Sequence, residues 1–261
     1  MTFWAVFTTE LVKLRRSRVT WLTLAAFAVA PLAGALFMWI VREPGRAAQL
    51  GLLGAKANLS GLTATWPSYL MMVTMAISMG GMLLTAVITT YVFGREYADG
   101  TAKNMLALPV GRHWFVLGKL SVAALWWAVL VIAVAAEAIT VAAALHLADY
   151  SSTILAGGIR DMLLVAIVTF LLAPPVAWIA VWGRGYLPAL GFTLFTMVLG
   201  VIVGHTGWGK WFPWSIAPLF TGAAGPRSEA LAPGSLVVLL LTFVAATAAT
   251  IAQVRWADNT Q

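Results

Sequence analysis

Six unbroken apolar stretches constrain what this chain can fold into more than any other feature. A helix that crosses a membrane needs about 20 apolar residues. The segments that meet this length lie near Val19–Val41, Pro67–Phe93, Phe115–Leu145, Ile159–Trp182, Leu187–Gly204 and Ser235–Val254. They do not alternate apolar with polar residues as the strands of a membrane barrel do. The sequence therefore predicts an all-α polytopic membrane protein in which residues 1–261 form one transmembrane domain.

The low content of charged residues excludes several classes of protein. Of the 261 residues, 61% are hydrophobic and only 10% are charged, whereas roughly a quarter of an ordinary soluble domain is charged. A soluble fold of this size cannot bury so much apolar surface. We therefore exclude a soluble enzyme, a disordered chain and a module that binds nucleic acid. The chain has no Cys and only three, widely spaced His, so we expect no disulfide and no metal site.

The distribution of Lys and Arg between the predicted loops indicates the orientation. Ten of the sixteen fall in the N-terminal arm, the loops after spans two and four and the C-terminal tail, and six fall on the other side. Cytoplasmic loops carry the excess of Lys and Arg. We therefore expect both termini in the cytoplasm.

The N-terminal arm, residues 1–18, has the pattern of a helix that lies along the membrane surface. Apolar residues recur at helical spacing, and basic residues follow them next to span one. The apolar positions are Phe3, Phe7, Leu11 and Leu14. A basic flank that is not helical is the alternative. Span one has a competing interpretation as a signal peptide, since Ala33-Gly34-Ala35 resembles a cleavage site, but its apolar run continues to Val41.

The loop between spans two and three, residues 94–114, has the strongest local signals. Asp99-Gly100 predicts a turn, Thr101 predicts the cap of a short helix over residues 102–108, and Pro109 ends that helix. Glu96 and Arg112 flank it and are expected to bond either to polar groups on a partner or to each other. An exposed loop with ordinary caps is the alternative interpretation.

This loop also resembles a known family. The pattern E-x-x-x-G-T-x-x-x-x-L-x-x-P-x-x-R, followed by G-K, is similar to that of permease subunits of type-2 ABC exporters. In this chain it is formed by Glu96, Gly100-Thr101, Leu106, Pro109, Arg112 and Gly118-Lys119. The run Glu10-x-x-Lys13-x-x-Arg16-Ser17 is similar to the N-terminal helix of that family.

The resemblance implies a subunit of an ATP-driven exporter in the bacterial cytoplasmic membrane, which moves an amphiphilic or peptide-like substrate out of the cell. Two permease subunits, expected as a homodimer, would pair in the bilayer, and two ATPase subunits would dock beneath them. Glu96, Thr101, Pro109 and Arg112 would lie in or around the helix that couples to the ATPase.

The chain itself is not expected to be an enzyme or to hold a cofactor. A Walker A loop needs Ser or Thr after its Gly-Lys pair, but Gly118-Lys119 is followed by Leu120 and no other candidate exists. We therefore expect ATP and magnesium to bind to a separate ATPase subunit.

Two features inside the spans are candidates for a substrate path. Met75 and Met79 belong to a methionine stripe in span two, which either lines a path for amphiphiles or packs in the bundle. Glu137 lies within span three, where a charge is costly; it contacts substrate, relays protons or is structural, with Arg160 and Asp161 as candidate partners. An ion-coupled secondary transporter using Glu137 is the alternative function. A rhomboid-like protease is disfavoured because no Gly-x-Ser-Gly loop exists.

Three further patterns concern helix packing. Gly200-x-x-x-Gly204 predicts a close helix contact, and Pro174-Pro175 predicts a break in span four. In the outer loop, residues 205–234, the run Trp211–Phe220 is rich in Trp and Phe. It is too short to span a bilayer, so we expect it to be interfacial or to fold back into the membrane.

Overall fold

A computed structural model of the protein describes residues 3–51, 63–101, 111–224 and 232–256. These ranges fold into helices joined by short turns. In chain order they are α1 (Phe3–Arg15), α2 (Arg18–Arg42), α3 (Pro44–Gln49), α4 (Trp66–Ala98), α5 (Arg112–Ala144), α6 (Ser152–Phe170), α7 (Ala173–Trp182), α8 (Tyr186–Gly204), a 3₁₀ turn (Gly209–Trp211), α9 (Pro213–Thr221) and α10 (Pro233–Trp256).

The predicted all-α architecture with six membrane-spanning helices is confirmed. Six helical segments are long and apolar enough to cross a membrane: α2, α4, α5, α6 together with α7, α8 and α10. Helices α4 and α5 have 33 residues each, or about 50 Å at 1.5 Å per residue. They therefore extend well beyond a hydrocarbon core of about 30 Å, and their ends enter the region that the sequence assigned to the loop 94–114.

Span four is broken where the prolines predict it. Helix α6 ends at Phe170 and α7 begins at Ala173. Pro174 and Pro175 have no N–H to donate to the carbonyl groups four residues earlier, and their rings would clash with those groups. The prolines occupy the first turn of α7, where helices leave N–H groups unpaired in any case.

Helix α4 is the centre of the bundle. It packs against α2, α5, α6, α7, α8 and α9. Its buried residues include a stripe of small and hydroxyl side chains that allow the close approach of neighbouring helices: Thr74, Ser78, Gly81, Thr85 and Thr89. A Cβ at Gly81 would lie 2.5 Å from the ring of Trp127 on α5.

Three aromatic side chains fix the helices by hydrogen bonds across the bundle. Tyr69 donates from its hydroxyl to the carbonyl oxygen of Pro31 at 3.0 Å. Trp126 donates to the hydroxyl of Thr23 at 3.0 Å, and Trp127 donates to a carbonyl oxygen of α6 at 2.9 Å. Buried Tyr and Trp need such partners for their polar atoms, so these bonds set the rotation of the helices.

The outer loop folds back onto the bundle. Helix α9 packs against α4, α6, α8 and α10, and most of its side chains are buried. The predicted close packing of Gly200 and Gly204 is made with this segment, because a Cβ at Gly200 would lie 2.5 Å from the carbonyl oxygen of Trp214 and one at Gly204 would lie 2.6 Å from Cβ of Ala224. The depth of α9 in the bilayer stays a prediction.

We predict that Gly200→Ala destabilises the fold, since the added methyl group meets a backbone atom that cannot rotate away. Overpacking of this kind typically costs about 1–3 kcal/mol. Gly191→Ala on the same helix is the matched control, because a Cβ there meets nothing within 4 Å and Ala favours a helix over Gly. Thermal unfolding of the purified variants in detergent should show a lower midpoint for Gly200→Ala alone. Equal midpoints would contradict the packing described.

Candidate functional site

Four charged side chains, three of them buried and Lys13 half-buried, form a closed ring where α1, α4 and α5 meet. Lys119 Nζ lies 2.9 Å from Glu96 Oε2 and 3.1 Å from Glu10 Oε2. Lys13 Nζ lies 2.7 Å from Glu10 Oε1 and 3.3 Å from Glu96 Oε1. Each carboxylate therefore bridges both lysines, and each lysine bridges both carboxylates. We call Glu10, Lys13, Glu96 and Lys119 the charged ring.

The local sequence brings the two parts of the ring together. Val6, Glu10 and Leu14 form the buried stripe of α1, which is displaced from the predicted apolar stripe at Phe3, Phe7, Leu11 and Leu14. A Cβ at Gly118 would lie 2.8 Å from Val6. The glycine thus allows α1 to pack against α5, and the next residue, Lys119, reaches the ring.

Burial makes the pairing within the ring obligatory. Glu96 and Lys119 are each 3% exposed and Glu10 is 6% exposed. Unpaired charges at such positions cost several kcal/mol. Lys119 also donates to the carbonyl oxygen of Val92 at 2.6 Å, so its three N–H groups have three acceptors. Two positive and two negative groups leave the ring neutral.

Lys13 is the most exposed member and remains a cation at physiological pH. Burial by itself favours the neutral amine, but the hydrogen bonds and charges of Glu10 and Glu96 outweigh this effect and raise the pKa of Lys13 above its ordinary value of 10.5. A raised pKa in the folded state means that the ion pairs stabilise the fold fully below that ordinary value. Their contribution is lost only as the pH rises above it.

The loop that leaves α4 starts directly at the ring. The backbone N–H of Gly100 donates to Tyr97 and that of Thr101 donates to Glu96. With Gly100 at φ +67°, this is a Schellman helix end, so the predicted Asp99-Gly100 turn is confirmed. Glu96 thus ends the helix with its carbonyl and anchors it with its carboxylate. The hydroxyl of Thr101 lies 3.5 Å from the same carbonyl oxygen.

The other end of the loop is anchored by Arg112. Its Nη1 donates to the carbonyl oxygen of Val254 at 2.8 Å and to that of Arg255 at 2.6 Å. These carbonyls lie at the C-terminal end of α10, where a helix leaves acceptors unpaired and favours a cation. Arg112 therefore joins the start of α5 to the end of the last span.

The predicted coupling residues are thus found in different settings. Glu96 and Arg112 do not pair with each other: Glu96 binds the two lysines of the ring, and Arg112 binds backbone carbonyls. The predicted bond between Glu96 and Arg112 is therefore not formed among the described residues, and a bond from either residue to a partner stays a prediction. Pro109 and the predicted helix over residues 102–108 lie outside the described residues. Their roles in coupling stay predictions.

The candidate residues of a substrate path are not part of the ring. Met75 and Met79 are partly buried on α4, and Glu137 is partly buried on α5. Within the described ranges, no hydrogen bond to the Glu137 carboxylate is seen. Arg160, which the sequence offered as a partner of Glu137, instead binds its neighbour Asp161 at 3.0 Å. These residues keep their status as predictions.

The sequence analysis did not select Glu10, Lys13 or Lys119 as site residues, although it quoted all three within the family patterns. The available signal was the presence of charged residues inside helices whose neighbours are apolar. Across the part of the chain that the structure describes, no cluster of His, Asp and Glu could hold a metal ion.

We predict that breaking the ring destabilises the protein far more than breaking an exposed pair. Glu96→Gln leaves an uncompensated buried cation, which typically costs about 3–5 kcal/mol. The control is Glu43→Gln, which breaks the ion pair between Glu43 and Arg46. The side chain of Glu43 is 45% exposed and that of Arg46 is 67% exposed, and exposed pairs contribute about 0–1 kcal/mol to stability. Thermal unfolding in detergent measures both effects.

A double variant tests directly whether the balance of charge in the ring determines its stability. Glu96→Gln with Lys119→Met removes one charge of each sign and leaves the pair of Glu10 and Lys13, so it should be less destabilised than the sum of the two single variants. Additive losses would contradict the description of the four groups as one network.

Comparison with known proteins relates this architecture to transport. The family described as ABC-2 family transporter protein matches residues 6–200, which is more than half of the chain. The bacitracin transport permease protein BCRB of Bacillus licheniformis is 30% identical over 137 residues. That match covers 52% of this chain and 65% of the relative, which is less than two thirds of the relative's length. The family match, together with the six spans, shows that the chain belongs to the ABC-2 transporter family and is a transmembrane permease.

Proposed function

We propose that this permease is the membrane subunit of an ATP-driven exporter, and that residues 99–111 are its docking loop for the ATPase. The observation that carries the proposal is the double anchoring of this loop. One end is held by Glu96 in the charged ring and the other by Arg112 at the end of α10. A force applied to the loop therefore reaches α1, α4, α5 and α10 together.

Anchoring of this kind suits a coupling element better than an ordinary surface loop. A loop that only connects two spans needs no buried charges at its base, and buried charges cost free energy unless they are fully paired. In this proposal Glu96 and Arg112 hold the loop, while residues 102–108 and Pro109 contact the ATPase. Thr101, which follows the Schellman turn, sets the direction in which the chain leaves α4.

The partners follow from the family resemblance. We propose two cytoplasmic ATPase subunits and a second copy of this permease. ATP and magnesium bind to the ATPase, because the sequence contains no Walker A loop. The relative's name mentions bacitracin, which supports an amphiphilic or peptide-like substrate for this chain as a proposal.

We predict that Arg112→Ala weakens binding of the partner ATPase at least tenfold and abolishes stimulated ATP hydrolysis. Loss of the cap at α10 leaves one end of the loop unanchored. Arg42→Ala is a closely matched control, since Arg42 donates to the carbonyl oxygens of Leu145 and His146 at the other end of α5. The measurement is co-purification of the two subunits, followed by an ATPase assay.

The two variants remove the same kind of helix cap at opposite ends of the bundle. Any general loss of stability affects both, whereas uncoupling affects only Arg112→Ala. If Arg42→Ala disrupts ATPase binding as strongly, or if Arg112→Ala binds and stimulates normally, residues 99–111 are not the docking loop.

We also predict that the loop 99–111 and both termini face the cytoplasm, from the asymmetry of Lys and Arg. Fusions of a reporter that is active only in the cytoplasm should be active at the N terminus and after Trp256. A C-terminal fusion active only on the outer side would contradict the orientation, and with it the placement of the ATPase.

A further inference from the structure

Three exposed arginines lie at the bend where α1 meets α2. Arg15 is the last residue of α1, Arg16 follows it, and Arg18 is the first residue of α2. All three are exposed. Across the bend, the hydroxyl of Thr20 donates to the carbonyl oxygen of Leu14, so the direction in which α2 leaves α1 is fixed. We call Arg15, Arg16 and Arg18 the arginine bend.

The arginine bend has no acidic partner within the described ranges, since none of their ion pairs includes one of its residues. Three acidic residues are described at this end of the bundle. Glu10 and Glu96 are committed to the charged ring, and Asp99 Oδ2 lies 3.9 Å from Arg95 Nε. A second copy of the described residues would therefore bring no free carboxylate to the bend. The three positive charges are left for an anion of another kind.

An exposed apolar stripe on α2 starts directly at Arg18. Its members follow Arg18 at spacings of three and four, which places them on one face of the helix. They are Trp21, Leu22, Ala25, Val29, Leu32 and Leu36. The distance of 18 residues from Arg18 to Leu36 corresponds to about 27 Å, close to the thickness of a hydrocarbon core. Other faces of α2 pack against α4 and α5.

Trp21 indicates the level of the membrane surface. Its side chain is 70% exposed, and it lies three residues after Arg18, in the first turn of α2. Exposed Trp side chains are enriched at the level of the lipid headgroups. The arginine bend therefore lies at the level of the lipid phosphates, with the apolar stripe beside the acyl chains. Guanidinium groups bind phosphate oxygens through paired hydrogen bonds.

We propose that the arginine bend and the adjoining half of the apolar stripe bind an anionic phospholipid. Its phosphate contacts the guanidinium groups, and its acyl chains lie along Leu22, Ala25 and Val29. Basic residues beside a span attract lipids of net negative charge, whereas a zwitterionic lipid brings an ammonium group that the arginines repel. The site goes beyond the transport function proposed above. It ties α1, which carries two members of the charged ring, to the bilayer.

The absence of Cys from the sequence permits a direct test with Ala25→Cys, an exposed position on the stripe. The purified full-length protein carries a fluorophore on this thiol and is reconstituted in phosphatidylcholine nanodiscs. A small fraction of the lipid is phosphatidylglycerol or phosphatidylcholine with a nitroxide on its acyl chain, which quenches the fluorophore on contact. Each basic residue near the membrane surface increases the binding of anionic lipid about fivefold. Quenching by phosphatidylglycerol should therefore exceed quenching by phosphatidylcholine at least about fivefold.

Leu194→Cys on α8 is the matched control position. Leu194 is 53% exposed and lies eight residues beyond the start of α8, as Ala25 lies seven residues beyond the start of α2. Both helices start at the end of the bundle that carries the ring, since a Cβ at Gly94 would lie 3.0 Å from the ring of Tyr186. The two nitroxide lipids should quench position 194 about equally.

Charge variants in the Ala25→Cys background test the arginines. Replacing Arg15, Arg16 and Arg18 together by Gln should reduce the preference for phosphatidylglycerol to that at position 194. Arg18→Gln alone, which keeps two of the charges, should lower it about two- to fivefold. Arg255→Gln is the matched control, since it removes one exposed charge at the end of α10 and should leave the preference unchanged. Salt at 1 M should weaken the preference by screening.

Equal lipid preferences at positions 25 and 194 would overturn the proposal, as would a preference that survives both the triple variant and Arg18→Gln. An effect of Arg255→Gln as large as that of Arg18→Gln would also overturn it, because it would reflect net charge rather than a site. If neither lipid quenches position 25, the stripe is covered by protein, such as a second copy of the chain, and the proposal is wrong. None of these measurements involves the ATPase, so their outcome is independent of the docking loop.

Discussion

The alternation of charge in the ring of Glu10, Lys13, Glu96 and Lys119 is the constraint on which the rest of this end of the molecule depends. A buried ion pair stabilises a fold only weakly when its groups lack further bonds. Here each of the four groups has two partners of opposite charge. Because α1 supplies two members and α4 and α5 supply one each, none of the three helices can move without breaking an ion pair.

This constraint gives the loop after α4 a fixed origin. The helix continues past its apolar run to Ala98 because the charge of Glu96 is neutralised inside the protein rather than by solvent. The start of α5 is fixed separately, since Arg112 binds carbonyl oxygens 142 and 143 residues further along the chain. Residues 99–111 are thus held between two anchors that belong to different parts of the bundle, which is the geometry that a force-transmitting loop requires.

Hydropathy and turn chemistry predicted the features that depend on local sequence. The six spans, the helix α1, the break before Pro174 and the turn at Asp99-Gly100 all follow from apolar length, periodicity or backbone chemistry. The ring does not, because ion pairs such as that between Glu10 and Lys119 join residues 109 apart. Glu96 was expected in or around a coupling helix and bonded to a partner or to Arg112, and only the packing of α1 and α5 against α4 shows that its carboxylate binds Lys13 and Lys119.

The closed pairing of charges in the ring bears on function. At the ring, both carboxylate oxygens of Glu10 and both of Glu96 form ion pairs with Lys13 or Lys119. This end of the bundle is therefore suited to holding helices together. A neutral, closed network of buried charges is suited to a scaffold, because each charge in it is paired. In the proposed coupling, such a scaffold suits the end of the bundle where the loop of residues 99–111 is anchored.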